Sequence, residues 1–332
     1  MKSIVKYFVY HVICPLLLFF GLDKFLRRMS SKRCLIIMYH GVSKKKNFSI
    51  NGRHLPLDEF EKHLKYFKRH FDILSLPEIC AQHNGKRSKY SIALTFDDGY
   101  LNNVQNAMPL LLKYKIPATF FISTISLTEH EYIHPSDYID LISKSTSDSV
   151  DINGKPFAHR DGQLRNSDIS AYTYINSLSF KEFKLTFTTL RNRYPLINVL
   201  KGIDPEVHKL VTAEAVAELA SEKIFAVGSH SHDHVNLNML SPEDLDHQLS
   251  VSKKLLEKQI QDTVDCIAFP YGYFSKAVVE RSSQHGYKYL LAGGIVAAEW
   301  KHHVFPRIGI LNMAGYSFNM LSINRGFRNF GF

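Results

Sequence analysis

Cysteine is scarce in this chain. Four stand in 332 residues, at positions 14, 34, 80 and 266, and no two make a C-x-x-C pair. That spacing excludes a zinc-finger framework. It leaves the thiols as small buried hydrophobes of the kind found in a reducing compartment. Long uninterrupted apolar runs are missing too. The nearest approach, Ile4 to Phe20, is broken by Lys6 and His11. It sits at the lower limit of about 17 residues for a spanning helix. No small-residue A-x-A site follows it, so a cleaved signal peptide is not supported. Cys14 follows Ile13 rather than a small residue, which argues against lipidation there. No internal repeat or low-complexity tract occurs. With 45% hydrophobic and 22% charged residues, the composition excludes a disordered chain.

Positive charge, by contrast, is in excess: the formal net charge is +10. Such a balance favours anionic surfaces, whether nucleic acid, lipid headgroups or acidic polymers. Much of the excess lies in two runs, Lys24 to Arg33 and Lys44 to Lys46. Any one such run is ordinarily solvated surface. The first run, however, directly follows the apolar stretch. Residues 1–33 therefore read as a membrane-associating segment, either an uncleaved anchor or an interfacial helix with its basic flank on anionic lipid. If it spans, the flanking charges put the main domain on the cytoplasmic face. The alternatives are a periplasmic or extracellular domain on an N-terminal anchor, and a terminal helix packed on the domain.

From residue 34 to 332, short β-rich runs alternate with amphipathic stretches. Leu35–Tyr39, Ser91–Phe96, Ala118–Ser123, Ile224–Gly228, Val264–Phe269, Tyr287–Ala292 and Val304–Ile310 read as strands. Leu57–Phe71, Asn103–Tyr114, Ala213–Ser221, Pro242–Lys258 and Lys276–His285 read as helices. Alternation of this kind predicts parallel pairing and an α/β fold, in a barrel or an open sheet. A polar stretch of about 128–209 interrupts the rhythm. It reads as a partly helical insertion after the third strand, placed to cover a site or select a substrate.

Two clusters carry the chemistry. Asp97 and Asp98 end a strand in Thr95-Phe96-Asp97-Asp98-Gly99. Adjacent carboxylates resist burial unless something positive lies close, and a metal ion meets that need. If Asp98 ligates, Asp97 stands beside a bound water as a general base. Three histidines crowd Gly228-Ser229-His230-Ser231-His232-Asp233-His234, after another strand. His230, His234 and Asp98 would supply two nitrogens and one oxygen, leaving room for water. His232 and Asp233 are expected to point elsewhere or to support the ligands. Both clusters fall at strand C-termini, where barrel active sites assemble.

These segments resemble the polysaccharide deacetylase family, carbohydrate esterase family four. Thr95 to Gly99 match its Thr-Phe-Asp-Asp-Gly motif, and His230, Ser231 and His234 match its His-Ser/Thr-x-x-His motif. Met38-Tyr39-His40-Gly41, Ile116 to Phe121 and Pro270-Tyr271-Gly272 fit as well. The resemblance implies a distorted seven-stranded (β/α) barrel and metal-dependent, most simply zinc-dependent, removal of N-acetyl groups from sugars. It implies Asp97 as base, with Asp98, His230 and His234 as ligands. Pro270, Tyr271 and Trp300 fall at substrate or oxyanion positions, the backbone N–H of Tyr271 being the oxyanion donor. The implied partner is an N-acetylated glycan of a bacterial surface polysaccharide or its lipid-linked precursor, rather than nucleic acid.

Three departures stand out. The family's Arg-x-Pro-Tyr reads Ala268-Phe269-Pro270-Tyr271 here, so its arginine is missing, and Arg307 is the expected replacement. The Asp-x-x-Asp-Trp motif is only echoed by Glu299-Trp300, and Leu311-Asn312-Met313 lacks the histidine of Leu-x-His. His40, His134, His302 and His303 are then the candidates for the general acid, with His40 preferred because it ends the first strand. The departures also motivate a catalytically weak glycan-binding or assembly protein, or a hydrolase of a non-sugar amide.

Overall fold

A computed structural model describes residues 2–30, 34–45, 50–82, 90–129, 131–160, 162–293 and 304–326. Seven parallel strands close on themselves. In chain order they are β1 (Cys34–Tyr39), β2 (Ser91–Phe96), β3 (Ala118–Ile122), β4 (Phe225–Ser229), β5 (Cys266–Ala268), β6 (Tyr289–Ala292) and β7 (Val304–Gly309). Each strand pairs with the next, and β1 pairs with both β2 and β7, which closes the barrel. The short strand Asp72–Ile73 adds to β2 outside the ring. The fold is the α/β barrel that the alternation and the resemblance together implied.

Side-chain parity divides the barrel into two cores. Leu35, Ile37, Ile92, Leu94 and Phe120 face the surrounding helices. Ile36, Ala93, Phe121, Cys266, Ala268 and Leu291 fill the interior. This is the period-two alternation of any strand, and it decides which polar residues end up inside. Thr95, Asp97 and Arg307 share the interior parity. The barrel is distorted between β4 and β5, which share a single aligned pair, Ser229 with Ile267. Gly228 permits the tight packing there, since a Cβ would fall 2.5 Å from the Phe121 ring and 2.7 Å from Cys266 Sγ.

Helices Leu57–His70, Met108–Tyr114, Ala213–Ser221, Pro242–Ile260 and Lys276–Gln284 cover the outside. Pro242–Ile260 starts where Ser241 Oγ accepts from Asp244 N–H at 3.1 Å, an ordinary N-cap. A π-helical turn, Asn103–Ala107, precedes Met108–Tyr114 where a continuous helix was expected.

The insertion has helices Pro135–Ser145, Ala171–Asn176 and Phe180–Arg193 and its own apolar cluster around Tyr138, Ile142, Phe157, Phe187 and Leu190. It also holds a four-stranded antiparallel sheet, Val150–Ile152, Lys155–Arg160, Gln163–Asn166 and Ile169–Ser170, which the sequence reading did not foresee. The overlooked signal was Asn153-Gly154, both at positive φ, a two-residue hairpin turn. The strands it joins are too short and polar to show clear alternation.

Candidate metal centre and catalytic pocket

Asp97 and Asp98 sit where β2 ends. Asp97 keeps the interior parity of the strand, and its N–H still donates to Tyr39 O at 3.0 Å. Asp98 then turns into the left-handed region at φ 70, followed by Gly99 at φ 76. Left-handed backbone is unfavourable for a residue with a Cβ and needs outside support. His134 supplies some: its Nε2 lies 2.9 Å from Asp98 O. Ser231, His234 and Tyr271 are also left-handed, so strained residues gather around this one place.

His230 and His234 follow β4. The Asp98 Oδ1 atom lies 3.3 Å from His230 Nε2 and 3.0 Å from His234 Nε2. Each ring has its other nitrogen committed. His230 Nδ1 is 2.7 Å from Ala268 O, which can only accept. His234 Nδ1 is 3.2 Å from Tyr271 Oη, whose own hydrogen goes to His234 O at 3.1 Å. Each Nδ1 therefore carries a proton, and both Nε2 atoms face one carboxylate oxygen. With the rings neutral, a cation between them would satisfy all three groups. Asp98 Oδ2 is buried without a hydrogen-bond partner among the described residues. Ligand bonds of about 2.0–2.2 Å put tetrahedral neighbours about 3.4 Å apart, close to these separations. The three side chains fit a divalent metal, and their ligand atoms all lie within 4.8 Å of one another.

Electrostatics agrees. Burial pushes the Asp98 carboxyl up, but His234 and Arg53 outweigh it and hold the group well below the ordinary carboxylate range. Burial lowers His234, against the pull of Asp98, which favours the neutral form that can ligate.

Asp97 is held differently. Arg307, on β7, donates from both terminal nitrogens to the two Asp97 oxygens, each at 2.6 Å. It also donates to Thr95 Oγ1 at 3.2 Å. Both partners are buried, at 1% and 3% exposure, so the pair stands outside solvent screening. Burial raises Asp97, but Arg307 and then His230 bring it below its ordinary value. The Phe121 ring lies 5.5 Å from the guanidinium.

A cavity of about 220 Å³ opens over these groups, lined among others by His40, Arg53, Asp97, Asp98, Tyr172, His230, His234, Tyr271 and Arg307. Tyr271 comes from the turn after β5. The N–H groups of Gly272 and Tyr273 close that turn on Phe269 and Pro270 carbonyls. Gly272 is required where it stands, because a Cβ would fall 2.5 Å from Gly293 O. Pro270 is buried.

The acid candidates separate. His40 lines the cavity, and burial lowers it to about 4 despite Asp98. His134 is fully buried behind Asp98, bracing the turn. His302, His303 and Trp300 lie outside the described residues. His232 and Asp233 support the ligand loop, His232 Nδ1 at 2.9 Å from Thr124 Oγ1 and Asp233 accepting from Gln248 Nε2 at 2.6 Å.

Two pocket residues escaped the sequence reading. Arg53, in the loop after β1, lies 3.4 Å from Asp98 Oδ2 and donates to Asp137 at 2.5 Å and Tyr100 Oη at 2.8 Å. Tyr172, from the insertion, meets the Tyr271 ring edge-on at 5.4 Å. Neither stands in a motif, and only the fold brings them in.

Comparison with known proteins points the same way. The polysaccharide deacetylase family model matches residues 84–290. The chain belongs to that family. YxkH of Bacillus subtilis (strain 168), whose name places it among polysaccharide deacetylases, is 23% identical over 256 residues, covering 76% of this chain and 62% of YxkH. A poly-beta-1,6-N-acetyl-D-glucosamine N-deacetylase of Staphylococcus aureus (strain MSSA476) is 37% identical over 101 residues, 30% of this chain and 32% of that enzyme. These matches thus span less than two thirds of either relative. Among solved structures, the Streptococcus pyogenes deacetylase PplD in complex with acetate superposes with a TM-score of 0.56 at 18% identity, over 88% of this chain and 97% of that one. IcaB from Ammonifex degensii gives 0.56 at 14% identity, over 90% and 99%. Both share the fold.

Proposed function

We propose that this protein is a metal-dependent N-deacetylase acting on N-acetylhexosamine units of a surface polysaccharide or its lipid-linked precursor. The observation that carries the reading is the pairing of Asp97 with Arg307 beside the Asp98–His230–His234 cluster. A purely binding site has no use for a buried carboxylate kept ionised next to a metal position.

Asp98, His230 and His234 would hold the metal, and two imidazoles with one carboxylate suit zinc. When bound, a divalent cation supplies Lewis acidity to a carbonyl and lowers the pKa of water. The remaining work falls to the chain. Asp97 accepts a proton from the attacking water, and Arg307, donating to both oxygens, fixes the carboxylate plane. The backbone N–H of Tyr271, in its left-handed turn, would donate to the developing oxyanion. His40 starts neutral at pH 7. Negative charge developing in the cavity raises its pKa, so it can gather a proton and pass it to the leaving amine.

The test is acetate release from an N-acetylglucosamine oligomer by the purified full-length chain. We expect release with added zinc, loss on chelation and recovery when zinc is restored. Oligomer binding without acetate would overturn the reading and favour a glycan-binding protein.

A further inference from the structure

Residues 2–29 form a bent helical segment against the side of the barrel. Helix Lys2–Phe8 continues through a π-helical turn, Val9–Ile13, into helix Cys14–Phe19. Gly21 at φ 78 then turns the chain into helix Leu22–Met29, and the two arms meet at 82°. The inner face packs on helix Gly315–Arg325: Cys14 joins Ala314, Phe318 and Leu321, and the Tyr10 ring lies 4.6 Å from Phe318.

Unlike an ordinary surface helix, the segment is apolar on both faces. A helix docked on a soluble domain buries its apolar stripe and turns its charges to water. Here Asp23 is buried and accepts from Tyr66 Oη, while Arg27 donates to Asn324 Oδ1 at 2.9 Å. Outward stand Phe19, Phe20, Phe25 and Met29, at 83%, 79%, 57% and 70% exposure, with Tyr7, Phe8 and Leu16 also exposed. Eleven of the twenty large hydrophobic side chains exposed among the described residues lie between Val5 and Met29. That concentration marks an interaction surface rather than scattered exposure.

Charge selects the partner. The acid of this segment, Asp23, is turned inward, whereas Lys6, Lys24 and Arg28 are exposed among the aromatics. Exposed aromatic and aliphatic side chains with only positive charge between them complement the interface of an anionic bilayer. A spanning role does not fit. Among the described residues no single helix is long and apolar enough to cross a membrane, and the one pair that passes by length and composition is bent by 82°. The arm Val5–Phe19 is about 22 Å long against about 30 Å of hydrocarbon, and its inner face is covered by protein.

We infer that residues 2–29 form an in-plane docking element that seats the barrel on an anionic lipid surface. The start of the segment reaches the mouth end of the barrel, whereas Leu22–Met29 lies toward the opposite end, where Arg27 meets Asn324 in the last turn of helix Gly315–Arg325. Leu311 and Met313, exposed at 50% and 80%, cap the C-terminal end of β7, and His11 lies against Gly315 two residues past Met313. If the deacetylase reading holds, docking keeps the enzyme at the surface whose glycans it would act on; docking itself is tested without activity.

The experiment is flotation of the full-length chain with phosphatidylglycerol–phosphatidylcholine vesicles and with pure phosphatidylcholine vesicles. The anionic vesicles should carry the protein, and high salt should weaken the association. The triple variant Phe19→Glu, Phe20→Glu, Phe25→Glu should bind about tenfold less or weaker still, since each loses the burial of an aromatic ring. Its thermal unfolding should match the parent, because all three side chains point away from the barrel. Lys24→Glu with Arg28→Glu should lose the preference for anionic over neutral vesicles. Equal flotation of parent and triple variant overturns the inference. So does a parent that ignores vesicles, including one whose light scattering shows a dimer that the triple variant dissociates, because a second copy would then cover this face.

Discussion

The pocket has two halves of different construction. In one, Asp97, Asp98, His230 and Arg307 stand on or just beyond strands β2, β4 and β7, with side chains buried and partners fixed at 2.6–3.3 Å. In the other, His40, Arg53, Tyr172 and Tyr271 come from loops and the insertion, and Tyr172 is 38% exposed. The first half is held by the barrel itself, where strand parity puts a charged pair into a dry interior. The second is held by rings and hydrogen bonds between segments far apart in sequence. Rigid strand ends suit atoms that must meet a metal and a water within tenths of an ångström. Loops suit contacts that choose among substrates.

The difference predicts a graded response to substitution. Asp97→Asn removes the base and keeps the shape, so kcat should fall by about 10²–10⁴-fold while bound zinc per chain is unchanged. Turnover together with metal analysis measures both. A rate near that of the parent would remove the base role, and parallel loss of zinc would mean that Asp97 belongs to the ligand set.

Arg307→Met probes the same half through its support. Leaving a buried carboxylate unpaired should cost about 3–5 kcal/mol of stability at neutral pH, read by denaturant unfolding. The pH sign follows from the direction of the shift. Asp97 has its folded pKa depressed by Arg307 and His230 against burial, so its contribution is present above the ordinary carboxylate value and is lost as pH falls through the folded one. Without Arg307, burial dominates and the pKa rises. The acid limb of kcat/KM should therefore move to higher pH, with about a tenfold or smaller loss of rate at neutral pH where Asp97 is again ionised. Arg307→Lys should restore the charge but not the two-pronged geometry, recovering the pH limb more fully than the rate.

Legibility in the sequence divides along the same line. The strand alternation and the two motif clusters were readable, because period and local spacing survive in a linear chain. Arg307 could be singled out through the gap at Ala268: a missing arginine implies a substitute, and the last strand offered one. Arg53 carried no such trace. It sits in Asn51-Gly52-Arg53-His54, a loop that only chain closure brings over Asp98. His134 looked like one more possible acid, yet its place behind the left-handed Asp98 makes it a brace for the backbone. The insertion's sheet was obscured by strands of two to six residues, too short for hydrophobic alternation to outweigh their polar composition.

Tyr172 gives the smallest effect and the sharpest test of the loop half. It touches the pocket by its ring, edge-on to Tyr271, and also borders a cleft of about 300 Å³ lined by Arg53, Gln163 and Met313. If the insertion serves substrate choice, Tyr172→Ala should raise KM by about 2–12-fold, the equivalent of the ~0.5–1.5 kcal/mol of one aromatic contact, and leave kcat alone. The rise should be larger for an N-acetylglucosamine oligomer than for a single N-acetylated sugar, because only the longer ligand reaches the cleft. A fall in kcat with KM unchanged would place Tyr172 with the strand-borne half instead, as a group that positions the reacting atoms, and the division between scaffold and selector would have to be redrawn through the insertion.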